Sequence, residues 1–189
     1  MFIYKIIAEY EGTNFVGWQV QKNGLSVQEA IQKALTKILK KKITIYGSGR
    51  TDSGVHAIGQ SAHFTTYTKI NNKFAFLNAV NFFLNKEKIS ILDVRIKKNN
   101  FHARHSAKKR FYKYIIINRI APLSLEANRA WHIKSTLNIT SISKAAKLLE
   151  GTKDFSTYRS SSCSAVSPVR TLDKVTVKKK ENKIIITFK

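Results

Sequence analysis

The 189-residue sequence is poor in cysteine, proline and acidic residues, and each shortage removes a class of explanation. Cys163 is the single cysteine, so no intramolecular disulfide forms and an oxidising compartment is not implied. It reads as a small apolar residue and is assigned no chemistry. With only two prolines, no rigid spacer divides the chain. No apolar run approaches the roughly 18–20 residues of a membrane helix. The opening "MFIYKIIAEYEG" alternates and lacks the charged head and cleavage site of a signal peptide. The expectation is a soluble, cytoplasmic protein with no membrane partner.

What is abundant is positive charge: 34 Lys and Arg against 11 Asp and Glu, a net +23. Residues 1–95 carry 13 basic and 6 acidic groups, and residues 96–189 carry 21 and 5. Such an excess favours a polyanionic partner, because neutralising phosphates releases condensed counterions. A solvated lysine-rich surface explains part of it, since Lys outnumbers Arg 26 to 8 alongside abundant Ile and Asn, the bias of an AT-rich genome. A hydrophobic content of 43% with 11% aromatics excludes a disordered chain. The length suits one substantial core or two small lobes.

The apolar spacing predicts mixed elements. "FIYKIIAEY" (Phe2–Tyr10) reads as an inner strand, apolar on both alternating faces. A glycine-bearing loop follows, and then Ser26-Val27-Gln28-Glu29 forms a capping box opening a helix with Val27, Ile31, Ala34, Leu35 and Ile38 on one face. "KITIY" reads as a short strand closed by Gly47, and Gln60–Tyr67 as another. "FAFLNAVNFFL" reads as a helix, "ISILDVRI" and Arg110–Asn118 as strands, and Ser141–Gly151 as a helix ending in its glycine. The last nineteen residues read as a hairpin turning near Glu181-Asn182-Lys183, the sequence stopping inside a strand. Strands and helices mix without strict β-α-β alternation, so the expected class is α+β with a largely antiparallel mixed sheet flanked by helices.

Chemistry concentrates in "GSGRTDSGVHAIGQ" (Gly47–Gln60), four glycines around Arg50 and Asp52. It lacks the GK[ST] ending of a Walker loop and the G-x-G-x-x-G of a dinucleotide site. Asp52 is the only acid between Glu29 and Glu87, too few ligands for calcium. His56, His63, His102, His105 and Cys163 match no strong zinc spacing, so packed or hydrogen-bonded histidines are expected. What remains is an accessible carboxylate, with Arg50 favouring its ionised form, suited to a nucleophile or general base. The spacing alone equally allows a turn-stabilising aspartate. A second cluster, "FHARHSAKKRFYKYIIIN", interleaves Arg104, Lys108, Lys109, Arg110 and Lys113 with Phe101, Phe111, Tyr112 and Tyr114. Cations beside aromatics can grip a nucleic-acid backbone and stack a base. Alternation puts Tyr112 and Tyr114 on one face and Phe111 on the other, where it reads as core. "TYRSSSCSAVSPVRT" adds Arg159 and Arg170, read as a loop touching phosphates.

Together these segments resemble the tRNA pseudouridine synthase A family. The resemblance rests on "GSGRTDSGVHAIGQSAHF", with "YEGTNFVGWQVQ", "SVQEAIQKAL", "NNFHARHSAKKRFYKYIIIN" and "LLEGTKDFSTYRSSS" in the same order. It implies an isomerase that converts uridine to pseudouridine at positions 38–40 of the tRNA anticodon stem-loop, without metal or cofactor, as a homodimer. It implies Asp52 as the invariant catalytic residue, Tyr112 as the active-site tyrosine and Arg50 as the arginine holding the flipped base. Asp52 then acts by attack at C1′ or by removing the 2′ proton. Lys109, Arg110, Arg104, Arg159 and Arg170 are expected RNA contacts. The fold implied is the pseudouridine synthase fold, with two RRM-like halves at residues 1–105 and 106–189. Family members continue with a segment of the type F-x-x-x-MVRNIVG, whose arginine pairs with the catalytic aspartate, and this sequence stops before it. The expectation is therefore an incomplete C-terminal half. Two other readings follow: a catalytically impaired RNA-binding remnant, and a ribosome-associated structural protein.

Overall fold

The computed structural model describes residues 1–159 and 166–189, which form two compact units, Met1–Lys108 and Lys109–Lys189. The first unit runs β1 (Phe2–Tyr10), α1 (Val27–Leu39), β2 (Ile45–Gly47), β3 (Ala57–Thr66), α2 (Lys73–Leu84) and β4 (Ile89–Lys97). Its antiparallel sheet has the order β2-β3-β1-β4, a split β-α-β arrangement. The inner position expected for β1 is therefore found. Tyr4, Ile6, Ala8 and Tyr10 alternate into the core, while Glu9 on the other face is exposed. Their neighbours in register extend that face, with Tyr4 opposite Phe64 and Ile6 opposite both Ala62 and Val94. Val27, Ile31 and Leu35 of α1 and Phe76, Val80 and Leu84 of α2 join the same core.

The capping box works as a start signal. Ser26, fully buried, accepts a hydrogen bond from the Glu29 amide at 3.1 Å, while the Glu29 carboxylate turns to Lys33 at 2.7 Å. Ser26→Ala leaves that amide without its acceptor and is expected to cost about 1 kcal/mol. In thermal melts the midpoint should fall by about 2–4 °C. The phenylalanine-rich segment is helical as expected, capped by Asn72 on the Ala75 amide at 2.9 Å. Its Asn81 side chain satisfies both backbone groups of Ile91 (2.7 and 3.0 Å), beside the irregularity in the β1–β4 register.

The second unit runs β5 (Tyr112–Asn118), β6 (Trp131–Ile133), α3 (Ile139–Lys147), β7 (Gly151–Asp154), β8 (Val169–Leu172), β9 (Val175–Lys180) and β10 (Lys183–Phe188). One mixed sheet has the order β6-β5-β10-β9, with β5 and β6 parallel, and β7 pairs with β8 alone. The expected hairpin turn is present at Glu181, which takes φ 54°. β10 is an interior strand, paired with β5 on one side and β9 on the other. Among the described residues of this unit, Ile116, Ile117, Ala146, Val175 and Ile184 are the buried hydrophobic ones. The α+β class with antiparallel and mixed sheets is the one expected.

Several boundaries differ. β2 ends on Gly47 as expected but starts at Ile45, three residues later, and β3 starts at Ala57, because the strand continues past Gln60 to pair Ala57 with Tyr10. The glycine loop thus shrinks to Ser48–His56. α3 closes at Lys147, and Gly151, at φ +94°, opens β7 instead of ending the helix. β5 begins at Tyr112, two residues later than expected, so Phe111 precedes the strand and is 65% exposed, correcting its reading as core. The expectations for Cys163 and for the centre of "TYRSSSCSAVSPVRT" lie outside the described residues.

Candidate active site

The loop Ser48–His56 lies against the segment that follows β1, and close backbone contacts set its path. The Trp18 amide donates to the Thr51 carbonyl at 3.0 Å. Phe15 O accepts both the Gly54 amide (3.3 Å) and the Ser53 hydroxyl (3.1 Å). The Gly12 amide donates to His56 Nδ1 at 3.0 Å, and Gln60 Nε2 donates to Gly49 O at 2.6 Å. The Val55 amide returns to Asp52 O at 3.2 Å, closing a turn with Asp52 at its head. Beneath it, the Tyr10 hydroxyl lies 2.9 Å from Thr51 Oγ1.

The glycines divide the work. A Cβ on Gly12 would overlap the Val55 carbonyl oxygen, and one on Gly17 (φ +107°) would lie 2.5 Å from Thr51 O. Both belong to the opposing segment, whose role in the site the sequence reading missed; its signal was a glycine–aromatic run directly after a strand. Gly47 faces the Trp18 ring, whose Nε1 would lie 2.5 Å from an added Cβ. Gly54 (φ +78°) meets open space, so its backbone conformation and not crowding calls for glycine there.

Arg50 and Asp52 are both exposed on this loop. Among the described residues, no ion pair joins them. Exposed charges two residues apart gain little in water. Next to the loop, Glu11 is held down to about 2 from 4.5 by the Thr13 hydroxyl and then by Lys88, whose ammonium lies 2.9 Å away. A depressed carboxylate adds stability above its unfolded value and loses it as pH falls through the folded one. Wild type should therefore lose stability between pH 4.5 and about 2 more steeply than Glu11→Gln. Urea midpoints of both proteins across that range test this.

The histidines pack and hydrogen-bond. His63, 4% exposed, accepts from the Ala103 amide at 3.1 Å, and burial, aided by His102, lowers its pKa. The rings of Tyr46, His63, His102 and His105 pack in turn, stacked, edge-on and tilted, with centroids 5.2, 4.6 and 4.5 Å apart. This cluster anchors the Phe101–Ser106 turn on the first unit's sheet, where Arg104 is exposed. Among the described residues no three His, Cys, Asp or Glu side chains converge to hold a metal.

The remaining sequence-selected residues lie in the second unit. Tyr112 opens β5, half-exposed, and Tyr114 packs edge-on against Phe188 at 5.9 Å. Arg110 precedes the strand and is exposed. Lys109 is paired with Asp173 at 2.8 Å. Arg159 is half-buried after a short turn. Arg170 sits on β8, not in a loop, and its guanidinium donates to Ser167 O and Val169 O at 2.8 and 2.6 Å.

Comparison with known proteins gives the family. The family model described as tRNA pseudouridine synthase matches residues 6–106 and 145–189. The tRNA pseudouridine synthase A of Pelagibacter ubique (strain HTCC1062) is 52% identical over 189 residues, covering 100% of this chain and 77% of that protein. Those of Ehrlichia ruminantium (strain Gardel) and Neorickettsia sennetsu (strain ATCC VR-367 / Miyayama) are 43% and 44% identical. They cover 92% and 96% of this chain, and 71% and 75% of their own lengths. The match spans the Asp52 loop, the segment it packs on and much of the second unit, and the chain belongs to the tRNA pseudouridine synthase family.

Proposed function

We propose that this protein isomerises uridine to pseudouridine in tRNA, at positions 38–40 of the anticodon stem-loop. The observation that carries the reading is an exposed Asp52 at the head of a turn whose backbone is tied down from Phe15 and Trp18 and whose preceding Thr51 hydroxyl meets that of Tyr10. The target nucleotide must leave its stack, at a cost of a few kcal/mol that RNA contacts offset. Asp52 then either attacks C1′, displacing N1 of uracil, or removes the 2′ proton to give a glycal. In both routes the N1–C1′ bond breaks with its electron pair going to N1, and the freed base turns so that C5 bonds to C1′. That step breaks the Asp52–C1′ bond in the first route and returns the 2′ proton to C2′ in the second; the C5 proton then leaves and N1 takes up a proton. The step has no net redox change and consumes no water, so it calls for no redox co-reactant. Tyr112 stacks on the freed uracil, and Arg50 holds the displaced base. Arg104, Arg110, Arg159 and Arg170 contact the RNA backbone, with Lys109 joining them on release from Asp173.

The reading extends to a cytoplasmic homodimer built from two RRM-like halves per chain. The strand order β2-β3-β1-β4 supports such a first half, and among the described residues no helix is long and apolar enough to cross a membrane. Phe74 and Phe82, 75% and 78% exposed on α2, are apolar side chains that a second copy would cover. The test is incubation with an unmodified tRNA transcript labelled with tritium at uridine C5. Release of tritium to solvent, with the RNA chain intact, is the expected result. Salt-sensitive binding without release would instead favour an RNA-binding remnant. Binding without preference for anticodon stem-loops would favour a structural ribosomal role.

A further inference from the structure

Asp52 is exposed, so its position depends on the residues beside it. Thr51 is held at both ends: its carbonyl accepts from the Trp18 amide at 3.0 Å, and its hydroxyl lies 2.9 Å from the Tyr10 hydroxyl. Tyr10 ends β1, is 3% exposed and packs its ring beside Trp18 with centroids 6.1 Å apart. The phenol is thus a rigid post rising from the core to the residue that precedes the carboxylate. We propose that Tyr10 is a positioning residue for Asp52, its hydroxyl fixing through Thr51 the turn that presents the carboxylate to the nucleotide. This rests on the reading of Asp52 as the reacting group. Burial pushes the Tyr10 phenol up, with the Thr51 hydroxyl pulling the other way, so it stays protonated at neutral pH and keeps its hydrogen bond. A backbone contact holds only the path of the chain. The side-chain contact also limits rotation of Thr51, to which Asp52 is directly bonded, and a misplacement of about 1 Å can cost about 10²-fold in rate.

The experiment compares Tyr10→Phe, Thr51→Val, the double variant and Thr51→Ser with wild type, using tritium-labelled tRNA. Three quantities are read: single-turnover rate at saturating tRNA, tRNA Kd and melting temperature. Tyr10→Phe keeps the buried ring, and Thr51→Val keeps the branched shape, so the hydroxyl contact is removed from either side. Each is expected to slow turnover about tenfold with Kd within about twofold. The double variant should be no slower than the worse single one, because one contact is lost in all three. Thr51→Ser restores the hydroxyl and should stay within about threefold of wild type. Wild-type turnover by Tyr10→Phe, multiplicative losses in the double variant, or a loss confined to Kd would each overturn the inference. Asp52→Asn run alongside separates the two readings. If it turns over normally, the role of Asp52 fails; if it is inactive while Tyr10→Phe is fully active, only the positioning role fails.

Discussion

Asp52→Asn should lower single-turnover pseudouridine formation by at least about 10³-fold, while tRNA affinity stays within about threefold. Asparagine keeps the size and polarity of the side chain but removes the negative charge needed both to attack C1′ and to take a proton. Asp52 is exposed, and among the described residues the hydrogen bond that ties it to its turn is made by its carbonyl, which accepts from the Val55 amide. The substitution therefore leaves the loop as it is, and the melting temperature should be unchanged. That separation is what distinguishes the two readings open at the sequence level. A turn-stabilising aspartate would lose stability and keep turnover; a reacting one loses turnover and keeps stability. Rapid-quench measurement of tritium release beside a thermal melt decides between them, and a variant still turning over at a tenth of the wild-type rate contradicts the catalytic role.

Gly12→Ala is expected to have the second-largest effect, though Gly12 lies outside the sequence's most recognisable motif. A Cβ there would overlap the Val55 carbonyl oxygen and lie 2.5 Å from its carbon, both backbone atoms with no flexible end to yield. The adjacent Gly12–His56 hydrogen bond would be strained with it. The loop must move away, at a cost of about 1–3 kcal/mol in stability and about 10²-fold in turnover. Gly54→Ala is the comparison, since its Cβ meets nothing within 4 Å and only φ +78° opposes it. Strain of about 1–2 kcal/mol is expected there. Melts and single-turnover rates of both variants test the difference, and normal turnover by Gly12→Ala would mean the loop tolerates displacement.

The elements legible in the sequence are those whose periodicity runs long enough to count. Phe2–Tyr10 supplies nine residues of alternation, and Ser26 with Val27, Ile31 and Leu35 supplies a cap and a face. The three-residue β6 and the four-residue β7 and β8 offer too few alternations, and β6 depends on parallel pairing with β5, which no local pattern announces. Gly151 misled because glycine at positive φ serves a helix end and a strand start alike. At the site, Asp52 and Arg50 stood out because acids are scarce and the motif is distinctive. Tyr10, Gly12 and Gly17 did not, since their value lies in contacts with residues more than thirty positions away. Arg170 and Lys109 read as free cations because a sequence does not display the Ser167 carbonyl or the Asp173 carboxylate that they reach.

The most direct measurement maps pseudouridine at single-nucleotide resolution in an unmodified tRNA transcript treated with this protein, with Asp52→Asn as the blank. Pseudouridine at positions 38–40 with wild type and none with Asp52→Asn is the expected result. Pseudouridine absent from both under conditions where the tRNA is bound, or present equally in both, would contradict it.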